Sequence, residues 1–147
     1  MNYLFEKGKF TESELENAFI ELFQNMGYDY VSGSSMHRTF NKVLFNEVLI
    51  EEDLIRFLLN RYRNADLTDL EMKRIINTIK LIPSNPIYTG NRETFWLISE
   101  GFDLTREDSS KIALHVDYVD FDHPENNIFK VVNQYTVSDK KTRRPDM

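Results

Sequence analysis

The first strongly patterned stretch of the chain, "FTESELENAFIELFQNMGYDYV", predicts an amphipathic α-helix followed by a short strand. Its apolar residues recur at helical spacing. Thr11 and Glu14 have the spacing of a capping box at the start of the helix, and Gly27 stands where a glycine often ends one. The apolar arc consists of Leu15, Phe19, Leu22, Phe23 and Met26.

Three further stretches predict helices in the middle of the chain. They are "NEVLIEEDLIRFLLNRYR", "NADLTDLEMKRIINTIKLI" and the shorter "NRETFWLISEGF". Thr68 and Glu71 repeat the capping-box pattern in the second of these. The "PSNP" stretch ends it, because proline cannot continue a helix, and Gly101 ends the last.

After residue 101 the pattern changes to alternating β-branched and aromatic residues. "KIALHVDYVDF" and "NIFKVVNQYTVS" predict strands, and "DHPENN" between them predicts a turn. Helices followed by an antiparallel meander indicate an α+β fold with helices packed on a mixed or antiparallel sheet. Since no linker or internal repeat divides the chain, we expect one domain over residues 1–147.

Glu16 has an unusual position on the first predicted helix. At about 100° per residue, it falls between Ile20 and Phe23, on the flank of the apolar arc. A carboxylate there costs free energy unless it has a partner. Two structural explanations stay open: favourable charge in the first turn of the helix, or a side chain that extends to water.

Composition excludes several classes of protein. The chain has no cysteine, so it has neither disulfides nor thiolate metal sites, as expected in a reducing cytoplasm. No apolar stretch is long enough to span a bilayer, which argues against a membrane protein. The net charge of −6 disfavours an autonomous nucleic-acid-binding protein. The tail "DKKTRR" is nevertheless basic, and it is either a solvated loop or a contact for phosphate.

The densest polar cluster in the sequence is "LHVDYVDFDH". Histidine with carboxylates can bind divalent metals, but the spacing matches no specific site, and strand-end and turn roles explain the same residues. Its members are His115, Asp117, Asp120, Asp122 and His123. The sequence has no phosphate-binding loop, dinucleotide fingerprint or nucleophile elbow. A second polar set, Glu16, Gln134 and Asp146, is scattered along the chain.

Four stretches together resemble the N-terminal nuclease region of the R subunit of type I restriction endonucleases. They are "FTESELENAFIELFQNMGYDYV", "FWLISEGFDLTRED", "VDYVDFDHPENNIFKVVNQYTV" and "RRPDM", and the resemblance runs from about Thr11 to Met147. It implies an incomplete PD-(D/E)xK restriction-endonuclease-like fold. In such a fold, an Asp at the start of one strand and a Glu-x-Lys on the next hold Mg²⁺, often with a Glu from the first helix.

Carried over by position, the resemblance implies that Asp146 and Glu16 are catalytic, metal-binding carboxylates. Glu12 or Glu14 could replace Glu16 in a shifted alignment. We expect Lys141, Arg143 and Arg144 to be the candidate DNA-binding residues. The Glu-x-Lys half is missing because only Met147 follows Asp146. We therefore expect a fragment that lacks the catalytic strand and is inactive alone.

For the parent protein the resemblance implies ATP-dependent and Mg²⁺-dependent cleavage of foreign double-stranded DNA. ATP would bind motor domains outside these residues, and modification and specificity subunits would be partners. The alternative is a non-catalytic docking module of a restriction-modification complex. In either case, an open sheet edge could cause self-association.

Overall fold

The structure is a computed structural model and describes residues 11–36, 48–83, 85–135, 137–138 and 142–143. These residues form four α-helices and three two-stranded sheets, which confirms the α+β class. In chain order the elements are α1 (Glu12–Asn25), β1 (Asp29–Ser32), α2 (Glu51–Arg61), α3 (Asp69–Lys80), α4 (Ile87–Glu100), β2 (Phe102–Leu104), β3 (Leu114–Val116), a 3₁₀ helix (Pro124–Asn126), β4 (Lys130–Asn133), β5 (Val137–Ser138) and β6 (Thr142–Arg143).

Both predicted capping boxes are confirmed. The Thr11 hydroxyl accepts from the Glu14 backbone N–H at 3.3 Å, and the Thr11 N–H donates to the Glu14 carboxylate at 2.9 Å. Thr68 and Glu71 make the same reciprocal pair at the start of α3, each bond 3.1 Å long. These bonds satisfy backbone N–H groups that have no partner within the helix.

The chain divides into two compact units. One consists of Met1–Val48 with Phe129–Met147, and the other of Leu49–Ile128. The expectation of a single domain over residues 1–147 stays a prediction.

In the first unit, α1 contacts both strands of the parallel pair β1–β4. Tyr30 pairs with Val131, and Val31 with Val132. Ile20 is the residue of α1 that is buried. An aromatic cluster joins the end of the helix to the strands, because Tyr28 lies 5.1 Å from both Phe23 and Phe129 between ring centroids.

The second unit contains the hydrophobic core of the described residues. Helices α2 and α3 supply Phe57, Leu58 and Ile75, and the antiparallel pair β2–β3 and its exit supply the rest of the cluster: Leu104, Val116 and Tyr118. The stripe predicted for the second helix is confirmed, since Leu54 and Tyr62 pack against this cluster. Tyr118 is anchored by its hydroxyl, which donates to the Ile75 carbonyl at 2.5 Å.

Two details of the sequence prediction are wrong. Helix α4 begins at Ile87 rather than at Asn91, because Pro86 serves as its N-cap and the "IYTG" stretch is helical. The antiparallel meander is not formed within the described residues. Strand β4 pairs with β1 in parallel instead, since alternation predicts a strand but does not choose its neighbour.

The long final strand predicted from the "IFKVVNQYTV" stretch is also interrupted. Strand β4 ends at Asn133, and Gln134 has a left-handed backbone conformation with φ +52°. The chain resumes extended structure in β5, which forms a short hairpin with β6. The interruption places Gln134 at a corner immediately after the strand.

Candidate functional site

Glu16 and Gln134 meet in the first unit. Glu16 lies on α1 beside the buried Ile20, and its side chain is partly buried. The Gln134 side-chain amide Nε2 lies 3.5 Å from Glu16 Oε1, although the two residues are 118 positions apart. The helix carboxylate therefore faces the carboxyl end of β4.

Hydrogen bonds from β1 and from the turn after it hold the end of β4, which the Glu16 carboxylate faces. The Tyr30 hydroxyl donates to Asn133 Oδ1 at 3.0 Å, and the Gly33 N–H donates to the Asn133 carbonyl at 2.8 Å. Sequence reasoning missed Tyr30 and Asn133, since nothing in their spacing indicates that strands 103 residues apart are neighbours.

The three candidate glutamates of α1 have different surroundings. Glu14 is bonded to Thr11, and those bonds lower the pKa of Glu14 below its usual value. Glu12 is exposed. Glu16 is the one of the three that contacts a residue following β4. Position thus favours Glu16 as the helix carboxylate, while its catalytic and metal-binding role stays a prediction.

The other predicted site residues are described only in part. Asp146, Arg144 and Lys141 lie outside the described residues. The backbone of Arg143 lies in β6, opposite Val137 of β5, but its side chain is outside the described part. The approach of Asp146 to Glu16 stays a prediction.

The polar cluster around His115 is bonded internally rather than arranged around a metal. His115 Nδ1 lies 2.7 Å from Asp103 Oδ1, and its Nε2 lies 3.3 Å from Asp117 Oδ1. Arg61 forms ion pairs with both Asp117, at 2.7 Å, and the buried Asp120. Among the described residues no group of three or more His, Cys, Asp or Glu could hold a metal ion.

Charges in this cluster follow from those contacts. The hydrogen bond to Asp103 raises the pKa of His115, which favours the imidazolium. Hydrogen bonds from the Asn126 amide and the His123 backbone lower the pKa of Asp120. Because His115 is bonded to Asp103, and Asp117 and Asp120 are paired with Arg61, these contacts favour the structural explanation.

The chain contains one Glu-x-Lys sequence, Glu71–Lys73, but it is not a nuclease site. Glu71 is 1% exposed and lies within α3. Its Oε1 accepts from Arg106 Nε at 2.8 Å and from the Glu107 backbone N–H at 2.9 Å. These bonds join α3 to the segment after β2. The Glu71 carboxylate is therefore buried and occupied by structural hydrogen bonds.

Comparison with known families decides the origin of the chain. Residues 9–147 match the family model described as the type I restriction enzyme R protein N terminus. The chain belongs to this family. The predicted resemblance is therefore confirmed over nearly the whole sequence. Membership in the type I restriction enzyme R protein family implies a parent that works with DNA and with other subunits.

Searches among curated proteins and among solved structures found no match to this chain. Within the described residues, no helix has the length and apolar character needed to cross a membrane.

Proposed function

We propose that this chain is part of the Mg²⁺-dependent nuclease of a type I restriction enzyme R subunit. The parent would cut foreign double-stranded DNA in an ATP-dependent reaction in the cytoplasm, together with modification and specificity subunits. The observation that supports the proposal is the partly buried Glu16, whose Oε1 lies 3.5 Å from the Gln134 amide at the end of β4. ATP would bind motor domains that these residues do not contain.

The chemistry of the donors present fits Mg²⁺, a hard cation that prefers oxygen ligands. Glu16 would supply one carboxylate, and Asp146 another. Such an ion, when bound, polarises the scissile phosphate and lowers the pKa of an attacking water. The chain's own contribution is to hold the Glu16 carboxylate against the end of β4, while Lys141, Arg143 and Arg144 contact DNA phosphates.

We expect these 147 residues to be inactive when tested alone. The single Glu-x-Lys among these residues is Glu71–Lys73, and its carboxylate is occupied by the Glu71–Arg106 ion pair. Plasmid incubated with the isolated chain and Mg²⁺ should stay intact. Cleavage that disappears in Asp146→Ala would contradict this expectation.

The nuclease proposal is tested with the R subunit assembled with its modification and specificity subunits. We expect Glu16→Gln and Asp146→Asn to lower the DNA cleavage rate about 100-fold or more, because each removes a carboxylate that would hold the ion, and loss of an outer partner of a metal ligand already costs about 10–100-fold. ATP hydrolysis should be unchanged. Glu21→Gln, an exposed change on the same helix, is the matched control. Wild-type cleavage by both site variants would overturn the proposal.

A second candidate function is docking on another subunit, and a specific surface favours it. The apolar residues Leu15, Phe19, Leu22 and Met26 of α1 and its C-cap are 52%, 43%, 51% and 64% exposed. Their spacing of four, three and four residues forms one continuous stripe, which we call the α1 stripe. Helix α1 also carries four glutamates and no basic residue. The partner surface would therefore be apolar with a basic rim.

Substitution in the α1 stripe separates docking from catalysis. Leu22→Glu should weaken binding of the R subunit to its partner subunits about 10-fold or more, since burying a leucine contributes about 1.5–3 kcal/mol. Gln24→Glu introduces the same charge on the opposite side of α1 and should have little effect. Calorimetric titration measures both, and equal affinity for both variants and the wild type would contradict docking through this stripe.

We also propose that the isolated chain self-associates through its short sheets, each of which has two strands among the described residues. Light scattering over a range of concentrations measures this directly. A constant monomer mass at the highest concentration would contradict it.

A further inference from the structure

The backbone at Gln134 is held in an uncommon conformation. Its φ of +52° lies in the left-handed region, where a residue other than glycine costs about 1–2 kcal/mol. Among the described non-glycine residues, Asp66 shares this feature, with φ +49°. A conformation with this cost persists where surrounding contacts fix it.

Gly33 supplies those contacts from the turn that follows β1. A Cβ at Gly33 would collide with the Gln134 carbonyl oxygen and would lie 2.6 Å from the Asn133 carbonyl oxygen. The absence of a side chain thus lets the turn press against the end of β4. Together with the Gly33 N–H bond to Asn133, this packing fixes the corner at Gln134.

The two amide side chains at this corner have different partners. Asn133 accepts from the Tyr30 hydroxyl and so ties β4 to β1. Gln134 directs its amide nitrogen at Glu16 Oε1. An ionised carboxylate only accepts hydrogen bonds, so the N–H side of the amide is the side that can bind it. This contact leaves Glu16 Oε2 without a bond from Gln134.

From this geometry we infer that Gln134 is a positioning residue, which orients the Glu16 carboxylate and leaves its second oxygen available for the divalent ion. The inference rests on the nuclease proposed above. Gln134 itself would touch neither the metal ion nor DNA. Its effect would therefore appear in the rate of the chemical step rather than in DNA binding.

The deciding variant is Gln134→Gly in the assembled enzyme. Glycine adopts φ +52° readily, so the corner is kept while the amide is removed. We expect kcat for DNA cleavage to fall about 10-fold or more, because a small displacement of a catalytic group can cost up to about 100-fold. KM for DNA and the ATP hydrolysis rate should stay unchanged.

Asp66→Gly is the matched control, because it makes the same backbone change at the other left-handed position of the described residues, in the unit that does not contain Glu16. It should cleave DNA at the wild-type rate. Thermal unfolding of both variants shows whether the fold is retained. Unchanged kcat in a folded Gln134→Gly variant would overturn the inference.

A second readout does not depend on activity. In the isolated chain, nuclear Overhauser contacts should join the Gln134 side-chain amide protons to the Glu16 γ protons, and the amide resonances should move in Glu16→Gln. The absence of both signals would contradict the contact. If Glu16→Gln and Asp146→Asn both cleave normally, the nuclease proposal fails; if Glu16→Gln is inactive and Gln134→Gly is not impaired, the positioning role alone fails.

Discussion

At the scale of single residues, Glu71 shows how a buried charge is stabilised in this chain. Its ion pair with Arg106, which is 2.8 Å long, is joined by bonds from two backbone N–H groups. Chiefly through the Arg106 bond, these contacts lower the pKa of Glu71 from 4.5 to about 2, against the opposing effect of burial. A carboxylate with these three contacts stays ionised inside the core.

We expect Glu71→Ala to lower the free energy of unfolding by about 3–5 kcal/mol, because it leaves the buried Arg106 charge without its carboxylate partner. Chemical denaturation measures the loss. Glu93→Ala, on the exposed surface of α4, is the control and should change stability by less than about 0.5 kcal/mol. Equal stabilities of the two variants would show that the pair contributes nothing.

The same lowered pKa fixes the sign of the pH dependence. A carboxylate with a folded-state pKa below its unfolded value stabilises the fold above the unfolded value, and this contribution is lost as pH falls. For Glu71 we expect the loss between about pH 4.5 and pH 2. Unfolding measured across that range should show a flatter acid limb in Glu71→Gln than in the wild type.

His115 gives a prediction of opposite sign. The bond to Asp103 raises the pKa of His115. The protonated ring therefore stabilises the folded state at low pH, and this stabilisation is lost as pH rises through the folded-state pKa. Asp103→Asn should lower the pKa of His115 toward its usual value, as followed by NMR titration of the ring protons. Asp122→Asn is a control in the same segment. An unchanged His115 titration in Asp103→Asn would refute the pairing.

At the scale of elements, the sequence predicted what depends on neighbours in the chain. Capping residues defined the start of α1 and α3 because their bonds span three residues. The choice of β1 as the partner of β4 depends on contacts about a hundred residues apart, and alternation carries no signal for it. The helical spacing of about 100° per residue placed Glu16 beside Ile20 correctly. It could not show that Gln134 would be the hydrogen-bond partner of Glu16.

The α1 stripe is the clearest case in which an apolar pattern did not identify a buried surface. The face of α1 that carries Ile20 and Glu16 packs toward the strands, and the more regular apolar stripe lies outside. A pattern of apolar residues predicts that a helix has a partner, but it does not say which chain supplies that partner.

Close packing at the end of α4 leads to a prediction at the same scale. Gly101 has φ +66°, and a Cβ there would collide with the Val116 carbonyl and lie 2.9 Å from Asp117 Oδ1. Gly27 has φ +91° with nothing within 4 Å, so it isolates the backbone effect. We expect Gly101→Ala to lower the melting temperature more than Gly27→Ala. Equal shifts would mean that packing at Gly101 contributes nothing.

At the scale of the whole molecule, the hydrophobic cluster lies within one continuous stretch of chain. All six buried members of the cluster, from Phe57 to Tyr118, belong to the unit Leu49–Ile128. A polypeptide of residues 49–128 should therefore unfold cooperatively by itself. Circular dichroism during thermal unfolding tests this. A gradual change in the signal, with no folded-state baseline before it, would contradict cooperative unfolding.

The most direct test of the central claim is to locate a divalent ion on the 147-residue chain. With two carboxylates from the chain, binding should be weak, but Mn²⁺ broadens nearby NMR signals even at low occupancy. We predict that Mn²⁺ broadens the amide signals of Glu16, Gln134 and Asp146 together, and that Glu16→Gln removes the broadening at all three. Broadening centred on His115 and Asp103, or unchanged in Glu16→Gln, would contradict a metal site built from Glu16 and Asp146.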